Sequence, residues 1–566
     1  MIVSAVSLFK KFNTTSPLCA SEWGIEKERG EYSSHVSYFG HAAGESRVRI
    51  YARFAKPMSE GKKPAVLLLH DVGEPCDMQL ISYFTSKGYA VLFPDYSGEL
   101  KEGEKREHCT VYPPELAHGN YSKAKGLYDM QGLTAEESTW FEWAYVAHYS
   151  IAYLKQREDI SSIGVVGVRT GGALAWQVML SPDIACGVPI NAIGWQSLST
   201  AAKFGDNPVR NLSDDTHRYI AAVEAQSYAP YVKCPVMMLC AVHDKNCDVD
   251  RAYDTYARIG NPDGNALLYS SDCGSCIGPN ALQNMLMFLE RNLKGREIYI
   301  PDSLNVSVQE TENGLDVTVD CDKEGLLERV GVFYAEADLS TKCAFRDWRR
   351  LPTKKGNLIK DAQAHFTIKP FAGAKAVFVY AYAKYINGFR TMSKITAKRI
   401  SNPDATAIKG RMLFSGKETD CFAVADYHEY AIGNIFLERE AVVKIVEGYG
   451  GIKGAFSVRG IRTYKISSPM YIPDENAMLA FDVYCPQKGA VKITVEVGDM
   501  NQSFARYVSW IDVEGGGKWK RNVLQASDFK SELNNMPLEK FADGRALVFA
   551  GETDEVEFAV TNILWL

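Results

Sequence analysis

From about residue 35 to 295, short apolar runs alternate with segments whose apolar residues recur every three to four positions. "VSYFGHA" and "RVRIYARFA" read as the two strands of a hairpin. "AVLLLH", "YAVLFPDYSG", "IGVVG", "CGVPINAIG", "CPVMMLCAVHD" and "NALLYSSD" are apolar runs of the length and type of buried strands. Between them, "CDMQLISYFTSKG", "STWFEWAYVAHYSIAYLKQR" and "ALAWQVML" carry helical spacing. "NALQNMLMFLERNLKG" closes the series as a helix stopped at Gly295. Strands separated by helices predict a mostly parallel sheet with right-handed crossovers.

The texture then changes. "LNVSVQE", "GLDVTVDCD", "RVGVFYAEA" and "KAVFVYAYAKY" alternate with period two and no helical segment, which predicts a β-sandwich over 297–401. "SNPDATAIKG" is a linker. Over 402–566, "YKISSPMYI", "AMLAFDVYC", "AVKITVEVG", "ARYVSWIDVEG", "RALVFAG" and "EVEFAVTNILWL" predict a second, larger β-sandwich. The expected fold class is multidomain: an α/β domain over 1–296 plus two all-β sandwich domains.

Bulk properties narrow the functional classes. A chain of 566 residues is too long for a single hydrophobic core. A net charge of -6 speaks against nucleic acid or an anionic membrane as the main partner. No run approaches the ~20 apolar residues of a membrane span. The start, "MIVSAVSLFKKF", places its lysines after the apolar stretch and is a poor secretory signal. Thirteen scattered cysteines suit a reducing compartment, so the expected location is cytoplasmic. Neither a cofactor nor a metal is expected, and the oligomeric state is left open.

The chemistry centres on "GVRTGGALAW", Gly167 to Trp176, directly after "IGVVG". A strand, a tight Gly-rich turn and a helix make the nucleophile elbow G-x-S-x-G, here with Arg169 in the serine slot. With "KPAVLLLHDVGEP", "SKGYAVLFPDYSGE" and "CPVMMLCAVHDKNCDVDRA" in the same order, residues 1–296 resemble the α/β-hydrolase superfamily. The similarity is greatest to its acetylxylan esterase and dienelactone hydrolase branch. The resemblance implies that the loop after "AVLLLH" supplies an oxyanion-hole amide and that Asp244 holds the triad-acid position. It implies a base in the loop "SSDCGSCIGPN", which contains no histidine; Ser275 is its expected occupant, with Cys273 beside it. Within the same resemblance, 297–401 is similar to immunoglobulin- or fibronectin-type modules. The segment 402–566 is similar to galactose-binding-like jelly rolls and carbohydrate-binding modules.

A guanidinium stays protonated and cannot attack a carbonyl. Loss of a triad nucleophile costs on the order of a million-fold in rate. Ordinary Ser-His-Asp hydrolysis is therefore not expected. Thr170 is the nearest hydroxyl, but using it shifts the register and leaves Val168 where a glycine is wanted. His70, His148 and His243 are the candidate replacement bases, each with a packing role as the alternative. "CGSC" at 273–276, Cys240 and Cys247 have no second pair that would make a zinc or redox site.

Two readings of Arg169 stand. It grips a carboxylate or phosphate ligand in the pocket, or it pairs with Asp244 or a neighbouring acid because an unpaired buried charge is costly. An insert at about 108–145 occupies the place of a cap. Its Tyr112, His118, Tyr121, Trp140 and Trp143 suit sugar rings or a hydrophobic interface equally. With them, His70, Asp71 and Thr170 are the candidate pocket residues. Trp510, Tyr507 and Tyr464 are candidates for a sugar platform in the last domain, against a plain core role. Three functions follow: a disabled hydrolase-fold protein binding a sugar-related or anionic small molecule, an active carbohydrate esterase with a rearranged set, or a purely structural protein.

Overall fold

The structure, a computed structural model, describes residues 4–73, 78–99, 106–206, 211–271, 274, 277–322, 327–351, 358–359, 362–419, 421–425, 436, 441–498, 505–553 and 556–566. The apolar runs of the first domain form strands β1 (Ser21–Glu28), β2 (Glu31–Ala43), β3 (Ser46–Pro57), β4 (Lys63–Leu69), β5 (Ala90–Pro94), β6 (Ile160–Val168), β7 (Ile184–Ile190), β8 (Met237–Ala241) and β9 (Ala266–Ser270). They build one sheet in the order β1-β2-β3-β5-β4-β6-β7-β8-β9. β1, β2, β3 and β5 pair antiparallel; from β5 through β4 to β9 every pairing is parallel.

Alternation along β4 shows why the run is apolar throughout. Leu67 and Leu69 face the helices Thr139–Gln156 and Thr170–Val178, while Val66 and Leu68 face Met78–Ser86 and Pro279–Lys294. A strand covered on both faces has no polar side to show. β1 escapes the hydrophobic pattern. Its "SEWGIEKE" is an exposed edge strand, with a bulge between Trp23 and Glu26, and charged, bulged edges discourage further pairing.

The following two segments are all-β. Among the described residues, 305–399 form a four-stranded and a five-stranded antiparallel sheet sharing one core, with Val306, Leu315 and Val317 against Val332, Val377 and Val379. Residues 412–565 form two six-stranded antiparallel sheets, again around one core. "YKISSPMYI" departs from expectation: it is a 3₁₀ turn at Lys465–Ser467 and not a strand. Ser467 Oγ there donates to Tyr464 O at 2.8 Å, a local bond that competes with a strand ladder.

The strand Ala376–Tyr385 connects two cores. Val377, Val379 and Ala381 enter the sandwich, whereas Phe378, Tyr380 and Tyr382 pack into the core of the first domain. The contact is locked by Arg346, fully buried, which donates to Asp250 Oδ1 and Oδ2 at 2.6 and 2.7 Å. Residues 464–467 of the last segment contact His243 and Phe345. Tyr464 stacks on His243 at 3.8 Å, and Ser467 Oγ lies 2.5 Å from Phe345 O.

Candidate functional site

β6 ends at Val168 and the next helix starts at Thr170, so the turn is made by one residue. That residue is Arg169, at φ 47° and ψ -106°. A non-glycine residue held there stores on the order of 1–3 kcal/mol of strain. The glycines around it are obligatory. A Cβ on Gly167 would overlap the Gly171 carbonyl, and one on Gly171 would overlap the carbonyls of Leu69 and His70. The elbow is thus fully formed around a residue that cannot use it as a nucleophile.

What Arg169 meets is decided by two loops. Asp71, two residues past β4, places Oδ2 at 3.6 Å from Arg169 Nη1. Asp244, in the loop after β8, places Oδ2 at 3.4 Å from Arg169 Nε. Asp71 Oδ1 accepts from three donors: Val72 N at 3.0 Å, Thr170 N at 3.2 Å and Thr170 Oγ1 at 2.7 Å. The backbone amides of the elbow's second residue and of the loop after β4 converge on one point, as an oxyanion hole requires. That point is filled by the protein's own carboxylate.

Asp244 is buried, and desolvation pushes its carboxyl above the usual range against the pull of the Arg169 guanidinium. Asn246 N donates to its Oδ1 at 2.8 Å. Asp248 rises to about 6, through burial and the neighbouring Asp250 carboxylate, with Arg251 opposing.

The predicted imidazoles are engaged elsewhere. The His70 ring stacks on Tyr96 at 4.3 Å and on Phe93 at 5.4 Å. His148 packs against Phe9 and Phe12 on the helix Thr139–Gln156, and burial drives it down to about 3. His243 has Nδ1 at 3.0 Å from Ala344 O and lies against Tyr464, also at about 3 by desolvation. Ser275 and Cys273 lie outside the described residues. The Thr170 hydroxyl donates to a carboxylate, with no imidazole in that bond.

The elbow opens into a cavity of about 620 Å³. Of the predicted pocket residues, Asp71, Thr170, Arg169, Asp244, Tyr121, Trp140 and Trp143 line it. Tyr112 does not: its hydroxyl donates to Tyr96 O at 2.6 Å, and its ring occupies the space a Cβ on Gly119 would take. His70 is likewise outside the lining, because its ring is taken up by the aromatic stack. His118 sits behind the wall, 3.8 Å from the buried Glu142. Trp143 Nε1 donates to Gly119 O at 2.7 Å and Trp140 Nε1 to Leu127 O at 3.2 Å, so both rings are fixed.

Several lining residues escaped sequence reasoning. Trp195 adopts φ 64° and donates from Nε1 to Thr255 Oγ1 at 2.8 Å. Glu224 accepts from Ser197 N and Ser197 Oγ, each at 2.8 Å. Lys342, Cys343 and Ala344 come from the middle domain. Trp195 was legible in principle, since it follows a parallel strand at the carboxyl end, where such sheets bind ligands. The middle-domain wall carries no such local signal.

The sheet order, the elbow and the acid loop define an α/β-hydrolase, esterase-like fold for the first domain. Residues 50–260 match the Dienelactone hydrolase family. Among solved structures, an acetyl xylan esterase from a Paenibacillus species is similar at 16% identity, covering 51% of this chain and 92% of that one, with a TM-score of 0.40. Acetyl xylan esterase 1 from a Thermoanaerobacterium species follows at 15%, covering 50% and 92%, with a TM-score of 0.39. A cold-adapted esterase from an Arctic intertidal metagenomic library shares 14%, covering 48% and 99%, with a TM-score of 0.32. No curated protein matches the chain.

Proposed function

We propose that this protein is a catalytically silent carbohydrate-esterase relative that binds a sugar-related ligand in the elbow cavity. One observation carries the reading: the amides of Thr170 and Val72 are filled by Asp71, beside a guanidinium in the nucleophile position. An acyl transfer needs a nucleophile and a vacant donor pair for the developing oxyanion. Neither is offered here.

The aromatic walls and the polar groups of Asn191, Gln196 and Glu224 suit a polyhydroxylated ring. Arg169 already faces two carboxylates, so a neutral sugar is favoured over an anionic ligand, which would have to displace one of them. An open cavity also argues against the purely structural reading. In this proposal nucleic acid and membrane are not partners, no cofactor or metal takes part, and the protein acts in the cytoplasm. The flanking sandwiches serve as an immunoglobulin-like spacer and a carbohydrate-module-like jelly roll.

Turnover of p-nitrophenyl acetate tests the silent site. The wild-type rate is expected to equal that of Arg169→Ala, and a rate a hundred-fold higher would overturn the proposal. A second reading has its own support in the 2.7 Å bond from Thr170 Oγ1 to Asp71, an oriented hydroxyl–carboxylate pair. It requires that Thr170→Val abolish whatever turnover the wild type shows.

A further inference from the structure

Tyr128 lines the cavity yet is 80% exposed. Its position does not come from a slack loop. Met130, two residues on, is completely buried, and Leu127 O, one residue before, accepts the Trp140 indole proton at 3.2 Å. Gly126 and Gly132, both at φ 68°, turn the chain at either end, a conformation that favours glycine. Leu133 N closes the loop on Met130 O at 2.7 Å. A firmly anchored loop therefore holds one aromatic ring out in water at the cavity mouth. Leaving such a ring exposed forgoes the burial of its apolar face.

The ring shares the cavity with other aromatic side chains. Tyr121 and Tyr219 line the same cavity. Trp140, whose indole bonds the same loop, also lines the cavity. An apolar ring face bounded by hydroxyls matches the face of a sugar ring, with its C–H groups on the stack and its hydroxyls at the edge.

We infer that Tyr128 is an outer subsite: the ligand is an oligosaccharide longer than the cavity, its terminal ring inside against Trp140 and the next ring stacked on Tyr128. This inference rests on the sugar-binding reading above. Tyr128 is its specificity-determining residue, selecting chain over monosaccharide.

Calorimetric titration of the full chain with xylose, xylotriose, glucose and cellotriose tests it. At least one trisaccharide is expected to bind the wild type more tightly than its monosaccharide. Tyr128→Ala should weaken that trisaccharide about tenfold and leave the monosaccharide within about twofold, where tenfold corresponds to 1.4 kcal/mol. Tyr128→Phe, which keeps the ring, should restore most of the loss. Equal binding of both sizes, untouched by Tyr128→Ala, overturns the outer subsite and leaves the sugar reading standing. Absence of binding by every probe overturns both.

Discussion

Asp71 Oδ1 lies 2.7 Å from Thr170 Oγ1 and 3.2 Å from the Thr170 amide nitrogen, although 99 residues separate the two in sequence. The carboxylate satisfies donors that the elbow geometry would otherwise aim at a substrate oxygen. It also balances Arg169. One residue thus holds the turn and, in the proposed reading, keeps its amides from a substrate oxygen.

Removing that carboxylate should be costly. Asp71→Ala leaves the two amides without their acceptor and takes from Arg169 one of the two carboxylates it faces, so a loss of about 3 kcal/mol is expected. Calorimetry should show a lower Tm. Added acetate, by entering the vacated amide pair, should raise the Tm of the variant and not that of the wild type. An unchanged Tm would show that Asp71 is dispensable.

Restoring the serine should not restore the reaction. Arg169→Ser supplies a hydroxyl, but the Thr170 and Val72 amides still hold Asp71, and His70, His148 and His243 are committed to packing. Aryl acetate turnover is expected to stay within about tenfold of the uncatalysed rate, against the 10³–10⁴ that an intact oxyanion hole and binding alone can supply. A larger gain would mean that the amide pair opens in solution.

Gly171→Ala should fail to fold or lose more than about 3 kcal/mol, because the new methyl meets the carbonyls of Leu69 and His70, which are backbone and cannot rotate away. Soluble expression and circular dichroism suffice to check it.

Arg346→Met should loosen the middle domain. The substitution strands the buried Asp250 without its bidentate partner, at a cost of about 3–5 kcal/mol. The expected readout is a calorimetric transition that moves to lower temperature and separates further from the rest than in the wild type.

The buried histidines set an acid limit. Burial disfavours the His148 cation and pulls its imidazole from the ordinary 6.5 down to about 3. Its folded value is depressed, so the unfolded chain takes up the proton first. Stability is full above pH 6.5 and falls as pH drops toward 3, by up to about 1.4 kcal/mol per pH unit. His148→Phe keeps the stack on Phe9 and Phe12 and should reduce the slope of stability between pH 6 and pH 4 in urea titrations, leaving the share of the equally buried His243. An unchanged slope would assign the acid limit to other groups.

Much of this protein is written along the chain. The run "AVLLLH" is a buried strand because both faces of β4 are covered, and "GVRTGG" is an elbow because only glycine fits beside the carbonyls of Leu69 and His70. Such features follow from side-chain period and backbone sterics, which act over a few residues. Arg169 in the serine slot was legible for the same reason. Tyr112 misled because aromatic content says that a ring will be covered, not by which neighbour. The partners of Arg169 lie 98 and 75 positions away, and Lys342 reaches the cavity from another domain. Only the folded chain brings a carboxylate into the amide pair, because electrostatic pairing acts through space and leaves no periodic mark on the sequence.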